Sequence, residues 1–200
     1  MGACEDIMAD MLREAGESPG DFLHPFSFLS KDSDNSTVLV DDDKHRAINF
    51  DLIAKRHSKK NSYADKFRSN DAFFVSQAER IFIEFKNGKI FSQGSLTSKA
   101  RKQLAEKIFA SILIAMDMGW VSSMKDLQEN VQYLLVYSAE NTAEDIGPYR
   151  NEIKARAYRH AGEKPSPPGL ESMKWLFSGM SMCSEREFTD GFIPEHYQAG

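Results

Sequence analysis

Two short runs rich in aromatic and β-branched residues, Asp71-Ala-Phe-Phe-Val75 and Arg80-Ile-Phe-Ile-Glu-Phe-Lys86, constrain this chain more than any other feature. Such residues suit a pleated, covered surface, and the Ser76–Glu79 connection is of hairpin length. Pairing Val75 with Arg80 sets the register, so that Phe73 faces Phe82 and Asp71 lies opposite Glu84. Period-two alternation then puts Asp71, Glu84 and Lys86 on one face, and Ile81, Ile83 and Phe85 on the other. Two carboxylates and an ammonium group meet at one end of a hairpin whose remaining residues read as core.

That arrangement has a cost. Like charges directly opposite on a sheet destabilise it by tenths of a kcal/mol to about 1 kcal/mol, and by more once desolvated. A divalent cation between the carboxylates relieves the repulsion, and hard oxygen ligands suit magnesium or manganese rather than zinc. Lys86 then stands beside the ion, placed to orient a water or to stabilise developing phosphate charge. A plain buried ion pair, Glu84–Lys86 or Asp71–Lys86, accounts for the same spacing without a metal.

The rest of the chain supplies the layers around the hairpin. Glu5–Ala15 has helical spacing and ends at Gly16, and residues 21–35 read as loop. Val38–Val40 is a brief strand candidate, Asp41–Asp43 can open a helix, and residues 44–60 read equally as helix or strand. Asn87-Gly88 signals a tight turn, with a third strand over Lys89–Ser92. Ser98–Met118 is a long helix with Leu104, Ile108, Ser111, Ile112 and Ala115 spaced for burial. Ser123 and Asp126 form a capping-box pair, and Val131–Tyr137 reads as a strand covered on both faces. Pro148 opens a helix running to about His160. Lys164–Gly169 holds three prolines, a hinge or rigid linker, before helical patterns at Leu170–Phe177 and after the capping box Ser184–Glu187. The expected fold is α/β, a mixed central sheet with flanking helices. Residues 1–163 make its core, and residues 164–200 an α-rich C-terminal appendage packed on the same single domain.

The Asp71 and Glu84-Phe-Lys86 motif, in this apolar strand context, resembles the signature of the PD-(D/E)XK (restriction-endonuclease-like) nuclease superfamily. The element order is similar as well: a helix, a strand meander carrying the acids, a crossover helix, then a buried strand, over roughly residues 4–138. Asn70 stands where that superfamily loosely keeps a proline. The resemblance implies a restriction-endonuclease-like core that hydrolyses phosphodiester bonds in DNA or RNA with Mg2+ or Mn2+. It implies Asp71, Glu84 and the main-chain carbonyl of Phe85 as metal ligands, with Lys86 as the catalytic lysine. It also implies a further acid from the first helix, Glu14 or Asp10, and polar groups from the helix after the signature. Gln103, Lys107 and Ser111 lie along one side of that helix, and Lys107 is the favoured catalytic group. Many duplex cutters of this kind act as homodimers. The superfamily also includes silent members that bind nucleic acid or protein without cutting.

Charge agrees with a local, not a general, affinity for polyanions. The net charge is −5, with two basic residues against eleven acids over 1–43 and eight against two over 44–70. Smaller basic stretches lie at 99–107 and 150–164. Such segments offer a cationic groove to a phosphate backbone, or simply a solvated face. Two cysteines cannot form a disulfide framework or a zinc cage, the five histidines show no paired metal spacing, and no phosphate-loop or nucleophile-elbow motif occurs. The acidic N-terminus and the absence of a long apolar run suit a cytoplasmic protein without membrane attachment. An unrelated α/β interaction protein, with the acid–lysine cluster purely structural, is the remaining competitor.

Overall fold

The computed structural model describes residues 2–32, 36–61, 68–146 and 165–197. Helix α1 (Ala3–Glu14) buries Met8, Ala9 and Leu12 along one stripe, with Glu5 and Asp6 at its N-terminal end and Arg13 at its C-terminal end. Each charge opposes the helix dipole where it sits. Residues 21–35 hold more than loop: α2 (Pro19–Phe22), β1 (Leu23–Pro25) and α3 (Phe26–Leu29) follow in succession. Elements of three or four residues are too short to show a period. Burial of Phe22, Leu23, Phe26 and Leu29 makes them. Val38 forms only a single bridge, with Lys31. Asp41–Asp43 open no helix, because the Asp42 carboxylate accepts from the Lys44 and His45 main-chain N–H groups in a local turn.

The ambiguous 44–60 segment is strand and helix in turn. β2 (Arg46–Asn49) passes directly into α4 (Phe50–Lys60), and the Asn49 side chain caps the helix by accepting from Leu52 N–H at 3.0 Å. The hairpin of β3 (Ala72–Val75) and β4 (Arg80–Lys86) has the expected register, Val75 with Arg80 and Phe73 with Phe82. Beyond it, β5 (Phe91–Ser92) and β6 (Ser95–Leu96) form a separate two-stranded ribbon, not a third strand of the main sheet. Its turn is at Gln93 (φ 49°) and Gly94 (φ 77°), not at Asn87-Gly88, since two successive left-handed residues are what a two-residue hairpin loop requires.

Thr97 caps α5 (Ser98–Asp117), and Ser123 caps α6 (Met124–Asn130) by accepting from Asp126 N–H. The Asp126 carboxylate does not close that box. It turns instead to the Arg80 guanidinium and to Ser122 N–H. β7 (Val131–Tyr137) then enters the sheet, followed by α7 (Ala139–Ile146). The helix expected over 148–160 lies outside the described residues. Pro165–Gly169 is docked, with Met182 N–H donating to Pro165 O and Leu96 N–H to Pro168 O. A 3-10 turn spans Glu171–Leu176. The C-terminal segment brings helices, α8 (Glu185–Glu187) and α9 (Ile193–Tyr197) around a π turn at Phe188–Phe192, and also a sheet strand, β8 (Gly179–Ser184).

The result is an α/β fold with a mixed six-stranded sheet in the order β1-β2-β3-β4-β7-β8, antiparallel up to β4 and parallel from β4 to β8. β7 has a partner on both edges, which explains its nearly unbroken apolar sequence. On one face Phe73 and Phe82 meet Phe50 of α4, and Phe73 stacks on Trp120 just beyond α5. On the other, Phe74 meets Phe192 and Tyr197, and Phe85 meets Phe188, with α1 packed on the same side. Among the described residues no helix is long and apolar enough to cross a membrane.

Candidate active site

Glu84 sits on β4 with Phe82 and Lys86, on the face turned towards α5. Its side chain is fully buried, 0% exposed. Its Oε1 accepts from Lys86 Nζ and from Lys107 Nζ, each at 2.7 Å. Lys107 Nζ also donates to Asp71 Oδ1 at 3.0 Å, so one ammonium bridges the two carboxylates. The pairing of β3 with β4 ends at Ala72 and Ile83, and one residue earlier the chain peels away. Asn70 N–H donates to Ser111 Oγ on α5 at 2.8 Å. Phe85 N–H finds its acceptor in Asp71 Oδ2 at 2.7 Å. The chain therefore approaches Glu84 as the register implied, while the carboxylate leans one residue along to the Phe85 amide.

Burial governs the electrostatics. Burial first, and the Glu84 charge second, push the Asp71 pKa up against the opposing pull of Lys107, Lys86 and the Phe85 amide. Desolvation draws the Lys107 pKa down, but Glu84 and then Asp71 outweigh it and hold the ammonium above the ordinary lysine value. Tyr133, on β7, is wholly buried, and its phenol is raised by burial and then by Glu84 and Asp71. Glu84 Oε2 and the Tyr133 hydroxyl are both buried without a hydrogen-bond partner.

The donor set fits a hard divalent cation. Asp71 Oδ1 and Glu84 Oε1 both reach the point held by the Lys107 ammonium, and Glu84 Oε2 has a lone pair that no protein donor uses. Carboxylate oxygens of this kind suit magnesium or manganese, with water or substrate oxygens completing the sphere. Among the described residues no group of three or more His, Cys, Asp or Glu is placed to hold a metal.

The cluster adjoins a cleft of about 650 Å³, which Glu84 itself does not line. Asp71, Phe85, Lys86 and Lys107 are among its lining residues. Asn49, Asp51 and Lys55 come from the β2–α4 junction, and Phe28 to Asp32 from α3 and the chain after it. Of the residues singled out in the sequence, the structure gathers Asp71, Glu84, Lys86 and Lys107, with Ser111 supporting from behind. At Phe85 the contact to this cluster is made by the main-chain N–H, which donates to Asp71. Gln103, Glu14 and Asp10 do not line the cleft. The two acids lie exposed on α1, across the sheet from α5, and Asp10 pairs with Arg13. Of the described residues in the basic stretches only Lys55 and Lys107 reach the cleft, where Lys31 and Lys86 join them, and residues 62–67 and 147–164 lie outside the described residues. Asn49 and Asp51 carried a local signal, an N-cap followed by an acidic first turn. Phe28 and Lys31 carried none. Comparison with protein-family models, with characterised proteins and with solved structures returned no match.

Proposed function

We propose that this protein is a magnesium- or manganese-dependent phosphodiesterase acting on nucleic acid, of the restriction-endonuclease-like kind. The observation that carries this reading is the convergence of Asp71, Glu84, Lys86 and Lys107, with Asp71, Lys86 and Lys107 lining an open cleft and Glu84 buried behind them. The antiparallel meander, the long helix α5 and the parallel strand β7 in that chain order support the same reading.

Asp71 and Glu84 would hold the cation, which when bound makes a coordinated water nucleophilic and neutralises phosphate charge. Phe85 N–H fixes one oxygen of Asp71 and leaves Oδ1 directed at the shared point. Lys86, partly exposed at the cleft, orients the attacking water from beside Glu84. Lys107, which bridges both carboxylates, would supply its ammonium to the negative charge that develops on the scissile phosphate. Ser111 holds Asn70, and through it the approach of Asp71.

A second reading has a specific observation in its favour. Two ammonium groups already balance the two carboxylates, so the cluster is neutral without a metal. In that case the fold binds nucleic acid or a protein partner and does not cut. A cleavage assay on plasmid, single-stranded DNA and RNA with Mg2+ or Mn2+, beside Glu84→Gln and Lys86→Ala, separates the two. Metal-dependent cleavage that disappears in both variants establishes the enzyme and its site together. No cleavage by the wild type on any substrate, with retained nucleic-acid binding, supports the silent reading.

A further inference from the structure

The lining of the cleft includes a side chain, Phe28, that the chemistry above does not use. Phe28 is 52% exposed, although 14 phenylalanines are present and most of the others described here are buried. Its position is imposed by its neighbours on α3. Phe26 and Leu29 turn into the core, Phe26 packing edge-on against Phe188, and Ser30 is tied to Val40 N–H at 2.9 Å. That leaves the Phe28 side chain pointing outwards from a well-anchored turn. His24 packs against the ring at 4.3 Å between centroids but does not line the cleft, whereas Phe28 does. The imidazole thus covers part of the phenyl ring, tilted 32° to it, while the ring stays half exposed. Lys31 and Lys55 line the same cleft, Lys55 at 3.9 Å from Asp51, and Asp32 and Asp51 line it as well.

An aromatic face flanked by ammonium groups is the arrangement that receives an unstacked nucleobase with its phosphates, since every base has a π-face and every linkage a charge. A base inside a duplex has no free face to offer. The cleft volume also falls within the about 300–1,000 Å³ typical of pockets that enclose a small ligand, which suits one or two nucleotides and not a duplex arm.

The geometry points to Phe28, with Lys31 and Lys55, as a subsite that stacks an unpaired base beside the scissile phosphate, so that the site takes single-stranded nucleic acid in preference to duplex. This rests on the nucleic-acid-cleaving reading of the Asp71–Glu84 site.

The test is fluorescence anisotropy with labelled single-stranded deoxy- and ribo-oligonucleotides of mixed sequence and the matching duplex, with Ca2+ replacing Mg2+ so that binding is read without turnover. Wild type should bind at least one single strand more tightly than duplex. Phe28→Ala and Phe28→Leu should each lose about 5-fold or more in single-strand affinity, and Phe28→Trp should retain it. The leucine variant keeps the apolar bulk, so its loss reports the missing π-face and not misfolding. Lys31→Gln with Lys55→Gln should weaken binding and flatten its salt dependence. Equal or tighter duplex binding, or a Phe28→Leu variant that binds like wild type, overturns the subsite. If the wild type still cleaves in a metal-dependent way, the phosphodiesterase reading survives that result. Absence of both binding and cleavage in the wild type removes both.

Discussion

Replacing Lys107 by methionine keeps an unbranched chain of similar length and removes the charge that bridges Asp71 and Glu84. Breaking a buried ion pair by deleting one partner costs about 3–5 kcal/mol. Two features of this site reduce that figure. Lys86 stays on Glu84 Oε1 at 2.7 Å, and Asp71, its pKa already raised by burial and by Glu84, can take up a proton. We therefore expect a loss of about 2–3 kcal/mol at neutral pH without metal, read as a drop in Tm of about 4–12 °C for a chain of this size. The pH dependence has a definite sign. Without Lys107 the folded-state pKa of Asp71 lies still further above its unfolded value, so the protonated form is favoured by folding. The deficit of the variant must then shrink as pH falls through that folded pKa and grow as pH rises. Mg2+ should restore the variant more than it stabilises wild type, because in wild type the ion must first displace an ammonium. The assay is urea and thermal unfolding from pH 5 to pH 8, with EDTA or with saturating Mg2+. A variant within about 1 kcal/mol of wild type at neutral pH, or a deficit that does not shrink in acid, would refute the bridging role. Equal stabilisation of both proteins by Mg2+ would refute competition for one position.

Ser111→Ala leaves the buried Asn70 N–H without its acceptor, which costs about 1–3 kcal/mol in urea titration. Because Asn70 directs Asp71, kcat should fall while KM for a single-stranded substrate changes little. A fall in KM-dependent binding alone would place Ser111 outside the positioning of Asp71. Asp126→Asn tests a structural ion pair far from the chemistry. Asp126 accepts from both terminal nitrogens of Arg80 and from Ser122 N–H, and the Arg80 hydrogen bond above all holds its pKa well below the usual carboxylate range. Its stabilisation is therefore present above about pH 4 and lost as pH falls through the folded value. The variant should be weaker by about 1–3 kcal/mol at pH 7 and should converge on wild type in strong acid, as read by the urea midpoint.

The order of the chain explains why a neutral-looking cluster can be a site. Glu84 is placed on β4 by alternation, on the face where α5 must pack, so a carboxylate is forced into the core together with Phe82. It is tolerated there because Lys86 lies two residues on and Lys107 reaches down from the helix above. The same packing that makes Glu84 costly to bury leaves its second oxygen without a partner and puts the cleft at its edge.

Local periodicity determined much of this protein by itself. The period-two pattern of 71–86 set the β3–β4 register, the continuous apolar run 131–137 announced a strand with neighbours on both sides, and the spacing of Leu104, Ile108, Ser111 and Ile112 defined the buried stripe of α5. These signals are legible because side-chain direction repeats within a few residues. The convergence of Asp71, Glu84 and Lys86 was legible for the same reason. Lys107 could be favoured from its helix position, but only the packing of α5 over β4 brings its ammonium between two carboxylates 36 and 23 residues away. Tertiary structure alone decided the rest. It divided residues 44–60 at Asn49, moved the tight turn from Asn87-Gly88 to Gln93-Gly94, and drew β8 into the sheet beside β7. It also turned Phe28 outwards into the lining of the cleft, because Phe26 and Leu29 on the same short helix are claimed by the core. Such choices depend on contacts between segments far apart in the chain, and no local pattern of side chains encodes them.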